Sequence, residues 1–112
     1  MELPPEIETE LQRAQQARER RNEGQARVCA RRAAGRAARR YLASRGHAPR
    51  TSSAYDMLRL VADDPLLSPG ARAQASHLIL RVDEEFKLPA GIDLVSEARL
   101  LCAALLGDTP AE

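Results

Sequence analysis

Two histidines are the residues of this sequence best suited to proton transfer near neutral pH. Each follows an arginine: His77 comes five positions after Arg72, and His47 comes seven positions after Arg40. A neutral imidazole can act as a base, and a guanidinium can stabilise negative charge on a phosphate. Either pair could therefore act on a phosphate ester.

Geometry limits the first pair, because five residues along one α-helix turn by about 500° and leave two side chains about 140° apart. Arg72 and His77 would need a break in the helix or a second subunit to meet. His77 also stands beside Leu78 and Ile79, which favours a boundary histidine that makes a hydrogen bond. His47 follows Gly46 in a loop, from which it could swing back towards Arg40.

A dense set of arginines fills one side of the stretch 25–45, which contains no proline. Arginines arranged in this way could track a phosphate backbone. Aromatic residues make up only 3% of the chain, so recognition of RNA by base stacking is not expected. The alternative is a solvated basic face that pairs in part with Asp83, Glu84 and Glu85. The candidate phosphate-binding residues are Arg27, Arg31, Arg32, Arg36, Arg39 and Arg40.

Charge is divided unevenly along the chain. Residues 1–50 contain 12 basic and 6 acidic residues, a net +6, whereas residues 51–112 contain 5 basic and 10 acidic residues, a net −5. Such an asymmetry suits a polyanion, an acidic partner, or the other half of the same molecule.

The sequence predicts neither a metal site nor a cofactor. Cys29 and Cys102 lie on apolar helix faces, where small buried hydrophobes are expected, and two cysteines alone make no metal site. The adjacent acids 83–85 would splay by about 100° each on a helix and would not converge on one ion. A glycine-rich phosphate loop and a nucleophile elbow are both absent.

We expect a cytoplasmic protein with one domain. The N-terminus MELPPEIETE is acidic and has no apolar centre, so it does not resemble a signal peptide. No apolar run approaches the length that spans a membrane. The 112 residues suit one domain over 1–112, with a core from about 5 to 106 and a frayed tail over 107–112.

Composition and periodicity both favour an all-α fold, an up-and-down bundle of four to five helices. Pro4 and Pro5 open the first helix. Residues 22–24 form a weak break, at which the first helix could join or bend into a second helix over 25–45. Ser53 begins a third helix that ends near Ala62, Ser68 caps a fourth helix that continues to about residue 86, and Asp93 caps a fifth. The second helix carries a stripe of small residues: Ala26, Cys29, Ala30, Ala33, Ala34, Ala37, Ala38, Tyr41 and Leu42.

This pattern resembles the HEPN domains (higher eukaryotes and prokaryotes nucleotide-binding), which are small all-α bundles. The similar segments are ARVCARRAAGRAARRYL, SSAYDMLRLVADD, HLILRVDEEFKLP and DLVSEARLLCAALL, within about residues 5–106. The resemblance implies a homodimer and a nucleotidyltransferase-type protein partner. Helix five or the small-residue face of helix two would form the dimer contact.

Some HEPN domains are metal-independent ribonucleases that use an Arg, then four to six residues, then a His, in a cleft between two subunits. Arg72 and His77 fit that spacing and are the candidate catalytic pair, although Ala73 replaces the polar residue that usually follows the Arg. Arg40 and His47 also fit, but not at the family's usual place.

Three functions follow from these observations. The first is a non-catalytic HEPN-like module that binds a partner protein, a nucleotide or RNA. The second is a toxin-type ribonuclease that uses Arg72 and His77. The third is a structural accessory subunit.

Overall fold

The computed structural model describes residues 3–47, 50–80 and 93–107. These residues form five α-helices and no strand, which confirms the all-α bundle. None of the described helices is long and apolar enough to cross a membrane. The helices are α1 (Pro5–Glu19), α2 (Glu23–Ser44), α3 (Ala54–Ala62), α4 (Pro69–Leu78) and α5 (Leu94–Leu106).

The first two helices are separate, because α1 ends at Glu19 and α2 begins at Glu23. Residues 23 and 24, which the sequence placed in a weak break, belong to α2. The side chain of Asn22 caps α2 by accepting a hydrogen bond from the backbone N–H of Gln25 at 3.1 Å. The apolar stripe of α1 is fully buried and consists of Ile7, Leu11, Ala14 and Ala17.

Helix α2 lies at the centre of the bundle and packs against each of the other four helices. Every residue of its predicted stripe is buried, and the most exposed of them, Tyr41, is only 8% exposed. Because this face is covered by other helices of the same chain, the prediction that it forms a dimer contact is wrong. The stripe instead lets the neighbouring helices approach α2 closely.

The closest approach is between α2 and α3. A Cβ atom added to Gly35 would lie 2.6 Å from the Cβ of Ala54 and 3.0 Å from its Cα. Ala54 faces α2, so this side of α3 is its buried side. Met57, which is 1% exposed, lies on the same side. Tyr55 is only partly buried.

Helix α4 begins at the predicted cap, where the Ser68 hydroxyl accepts a hydrogen bond from the N–H of Ala71. It ends at Leu78, so the prediction that it continues to residue 86 is wrong at the described residues 79–80. One reason is that the guanidinium of Arg31 donates to the Leu78 carbonyl at 2.8 Å, which satisfies a terminal carbonyl without a further turn. Residues 81–92, which include the rest of the predicted fourth helix, lie outside the described residues.

Helix α5 covers one side of α2 and leaves its own outer face exposed. Asp93 caps it by accepting from the N–H groups of Val95 and Ser96, each at 3.1 Å. Leu100 is 54% exposed and lies on this outer face. The buried residues of all five helices form one hydrophobic core. The predicted frayed tail, from residue 108 onwards, is outside the described range.

Candidate functional site

A groove lined by arginines runs between α1, α2 and the start of α3. Its volume is about 500 Å³. Arg32, Arg36 and Arg40 stand four residues apart on α2, so they project from the same side of the helix. Together with Arg39 they line the cavity that we call the arginine groove.

The floor of the groove is formed where α2 and α3 pack most closely. Gly35 and Ala54, the two residues in closest approach, both line it, and Met57 and Ser52 complete that side. Small side chains leave room for ligand atoms at a point where larger residues would fill the space. The side chains of Arg32, Arg36 and Arg40 are 49%, 50% and 55% exposed, so they can turn towards a ligand.

Two glutamates of α1 face these arginines. The Glu6 carboxylate accepts a hydrogen bond from Arg40 at 3.0 Å. The Oε2 atom of Glu10 lies 3.7 Å from Arg32 and 3.8 Å from Arg36. Residues 83–85, which the sequence suggested as counter-charges, lie outside the described residues.

Glu10 and Glu6 were not identified as site residues from the sequence, although two signals were present. Glu10 occupies a position in the apolar stripe of α1, where a charged side chain needs partners. Glu6 and Glu10 are also four residues apart, which matches the spacing of the α2 arginines.

The other two candidate arginines of α2 do not line the groove. Arg31 turns towards α4 and holds the Leu78 carbonyl. Burial lowers the pKa of the Arg31 guanidinium, and the positive charge of Arg27 lowers it further. The structure therefore brings together four of the six predicted residues and gives Arg31 a structural contact.

Arg72 and His77 lie on one uninterrupted helix, α4, so the helix break that would let them converge is not present. The Nδ1 atom of His77 is 2.5 Å from Glu97 Oε1 on α5. The Nε of Arg72 is buried and makes no hydrogen bond to a described residue. The structure thus pairs His77 with Glu97, a residue that the sequence did not link to it.

Arg40 and His47 are divided between two cavities. Arg40 lines the arginine groove, whereas His47 lines a separate cavity of about 530 Å³. The backbone N–H of His47 donates to the Leu42 carbonyl at 2.8 Å, in the turn that follows α2.

The second cavity has an ordered polar edge. The Tyr41 hydroxyl donates to Asp64 Oδ2 at 2.7 Å. That hydrogen bond lowers the pKa of Asp64, while burial, followed by the same hydrogen bond, raises the pKa of Tyr41. The guanidinium of Arg45 lies over the Tyr41 ring, 5.5 Å from its centre. Leu60 and Leu66 form apolar walls.

The cysteines have the buried positions that the sequence predicted. Cys29 and Cys102 are at most 1% exposed, and both are free thiols. Burial raises the pKa of Cys102 to about 12, so its thiol stays protonated and unreactive at neutral pH. Within the described ranges, no group of three or more His, Cys, Asp or Glu side chains could hold a metal ion.

Comparison with models of protein families, with curated proteins and with solved structures finds no match to this chain. The resemblance to HEPN domains therefore rests on the sequence pattern. The arginine groove is identified from its own geometry and charge.

Proposed function

We propose that this protein is a non-catalytic helical binding module whose arginine groove holds the phosphate groups of a nucleotide or an RNA strand. The observation that carries the proposal is the convergence of four arginines on one cavity of about 500 Å³. Guanidinium groups bind phosphate oxygens through pairs of charge-assisted hydrogen bonds.

The lining of the groove favours recognition of phosphate over recognition of bases. No aromatic side chain is among the described residues that line it, so a base would find no stacking surface there. The volume lies within the range of about 300–1,000 Å³ that is typical of small-ligand sites. We therefore expect affinity that depends on charge and only weakly on nucleotide sequence.

The resemblance to HEPN domains is part of the support, since it implies nucleotide-related ligands. A homodimer through the exposed face of α5, a nucleotidyltransferase-type protein partner and a cytoplasmic location belong to the same proposal. None of them is needed for phosphate binding at the groove.

The test is fluorescence anisotropy with a labelled single-stranded RNA, with ATP as a competitor. The variant R36Q/R40Q removes two groove arginines, and R20Q/R59Q removes two exposed arginines elsewhere and serves as the matched control. We expect the groove variant to bind about tenfold more weakly, a loss of about 1.4 kcal/mol, and the control to bind like the wild type.

The dependence of RNA affinity on salt concentration provides a second test in the same experiment. Four phosphate contacts to a single strand predict a slope of about −3 in log affinity against log salt concentration. Equal affinity for the groove and control variants, or no binding at low salt, would overturn the proposal.

A metal-independent ribonuclease that uses Arg72 and His77 is the second candidate, and the observation that favours it is the Glu97–His77 hydrogen bond. A carboxylate that orients a histidine is a common part of general-base catalysis. The test is incubation of RNA with the wild type and with H77A in EDTA. Cleavage that is lost in H77A supports this candidate, and intact RNA with both proteins rejects it.

A further inference from the structure

We infer, on the basis of the proposed phosphate binding, that Glu10 acts as an internal competitor of the ligand. Its carboxylate faces Arg32 and Arg36 from behind the groove, and its negative charge opposes the binding of a phosphate by the same arginines. Removal of that charge should therefore strengthen binding.

Glu10 is unusual because it is charged and lies in the core. It is 4% exposed and is the sole charged residue among the described residues that are buried. On α1 it lies one turn from Ile7 and one turn from Ala14, both fully buried. Burial of a carboxylate is unfavourable unless positive charges lie close by, and the two arginines supply them.

Glu10 forms ion pairs with the arginines but leaves part of their hydrogen-bonding capacity unused. Arg32, Arg36 and Arg13 lie 3.7, 3.8 and 4.0 Å from the same oxygen, Oε2. These distances exceed those of good N–H···O hydrogen bonds. The other oxygen, Oε1, is buried and accepts no hydrogen bond from a described residue.

A phosphate has an advantage over this carboxylate, because it can form short, paired hydrogen bonds with guanidinium groups. The carboxylate of Glu10 nevertheless remains close to Arg32 and Arg36 after the phosphate binds, and its negative charge opposes that of the phosphate. Glu6 acts in the same sense on Arg40, at 3.0 Å, but its side chain is 49% exposed, so solvent weakens its effect.

The experiment compares RNA affinity among charge-removing variants by the same anisotropy assay. E10Q keeps the shape of the side chain and removes its charge. E8Q is the control, because it removes one charge from the same helix while Glu8 pairs with Arg99, at 2.9 Å, outside the groove. We expect E10Q to bind about three- to tenfold more tightly than the wild type, and E8Q to change affinity less than about twofold.

Two further variants keep the inference testable if E10Q does not fold. E10D retains the charge and should bind like the wild type. E6Q changes an exposed residue that does not belong to the core, and it should bind more tightly by a smaller factor than E10Q. Circular dichroism establishes the helix content of each variant before its affinity is measured.

Tighter binding by folded E10Q supports the inference. Where E10Q is unfolded, tighter binding by E6Q supports competition by the glutamates of α1, and unchanged binding by E6Q contradicts it. Unchanged or weaker binding by folded E10Q, in a wild type that binds RNA, shows that Glu10 only positions the arginines and overturns the inference alone. Absence of binding by every variant overturns the proposed function as well.

Discussion

The arginine groove and the junction between α4 and α5 both contain charged side chains, but they balance charge in different ways. In the groove, four arginines of α2 lie near two glutamates of α1. The junction pairs one histidine with one glutamate, His77 with Glu97, at 2.5 Å. Positive charge therefore exceeds negative charge in the groove, whereas at the junction one hydrogen bond joins His77 to Glu97.

Antiparallel packing of α1 against α2 explains how the glutamates of α1 neutralise part of the arginine charge in the groove. Glu6 contacts Arg40, and Glu10 contacts Arg36 and Arg32, so the order of residues on α1 is the reverse of that on α2. The four-residue spacing on both helices keeps the charges in register. The same arrangement leaves a surplus of arginine for a ligand.

The largest effect on stability is expected from G35A, which alters the floor of the arginine groove. A Cβ at Gly35 would lie 2.6 Å from that of Ala54, and the neighbouring backbone cannot yield easily. We expect a loss of about 1–3 kcal/mol in the free energy of unfolding from overpacking, which exceeds the gain of about 1 kcal/mol from replacing a helical glycine. Urea unfolding measures the loss, and weaker RNA binding by G35A would show that the groove floor has moved.

The control for that prediction is G24A. Gly24 also lies in α2, but an added Cβ would meet nothing closer than 3.9 Å. Stability should therefore rise by up to about 1 kcal/mol. If G24A and G35A changed stability equally, the close packing of α2 on α3 would be contradicted.

A smaller effect is expected at the junction. A double-mutant cycle with H77Q and E97Q should give a coupling of about 1 kcal/mol between the two residues, as expected for one hydrogen bond. Urea unfolding of the wild type, both single variants and the double variant provides the cycle. RNA affinity should not change in these variants, and a coupling near zero would mean that the pair does not link α4 to α5.

The smallest effect is expected at the ion pair that joins α1 to α5. Arg99 donates to both carboxylate oxygens of Glu8, at 3.1 and 2.9 Å, and this hydrogen bonding lowers the pKa of Glu8 below its ordinary value of 4.5. A lowered pKa stabilises the fold above pH 4.5, and this contribution disappears as the pH falls through the folded-state pKa.

R99Q should therefore lower stability at pH 7 by less than about 1 kcal/mol, because the pair is largely exposed. R99Q should change stability progressively less as the pH falls below 4.5, because protonation of Glu8 then removes the ion pair. Asp64, whose pKa is lowered by its hydrogen bond with Tyr41, titrates in both proteins, so the difference between them reports Glu8. A difference that stays constant as the pH falls below 4.5 would contradict this assignment.

Much of the fold could be predicted from the sequence because its signals are local. The alanine stripe of α2 predicted a buried face, and each of its residues is buried. Asn22, Ser53, Ser68 and Asp93 cap helices at or next to the predicted starts. Periodicity and capping depend on residues within one or two turns, so they can be recognised without the tertiary structure.

The site was less predictable because its contacts join distant parts of the chain. The arginines were identified from one helix, but Glu10 reaches them across a helix interface, and Glu97 reaches His77 from 20 residues away. The Leu78 carbonyl at the end of α4 accepts a hydrogen bond from Arg31, which is 47 residues distant. Such contacts follow from the packing of helices, which periodicity alone does not define.

An NMR titration of the arginine side chains with ATP is the most direct test of phosphate binding in the arginine groove. The Nε–H signals of Arg32, Arg36, Arg39 and Arg40 should shift together with one dissociation constant, while those of the distant Arg20 and Arg59 should stay in place. Absence of shifts, or equal shifts of all six signals, would contradict a phosphate site in the arginine groove.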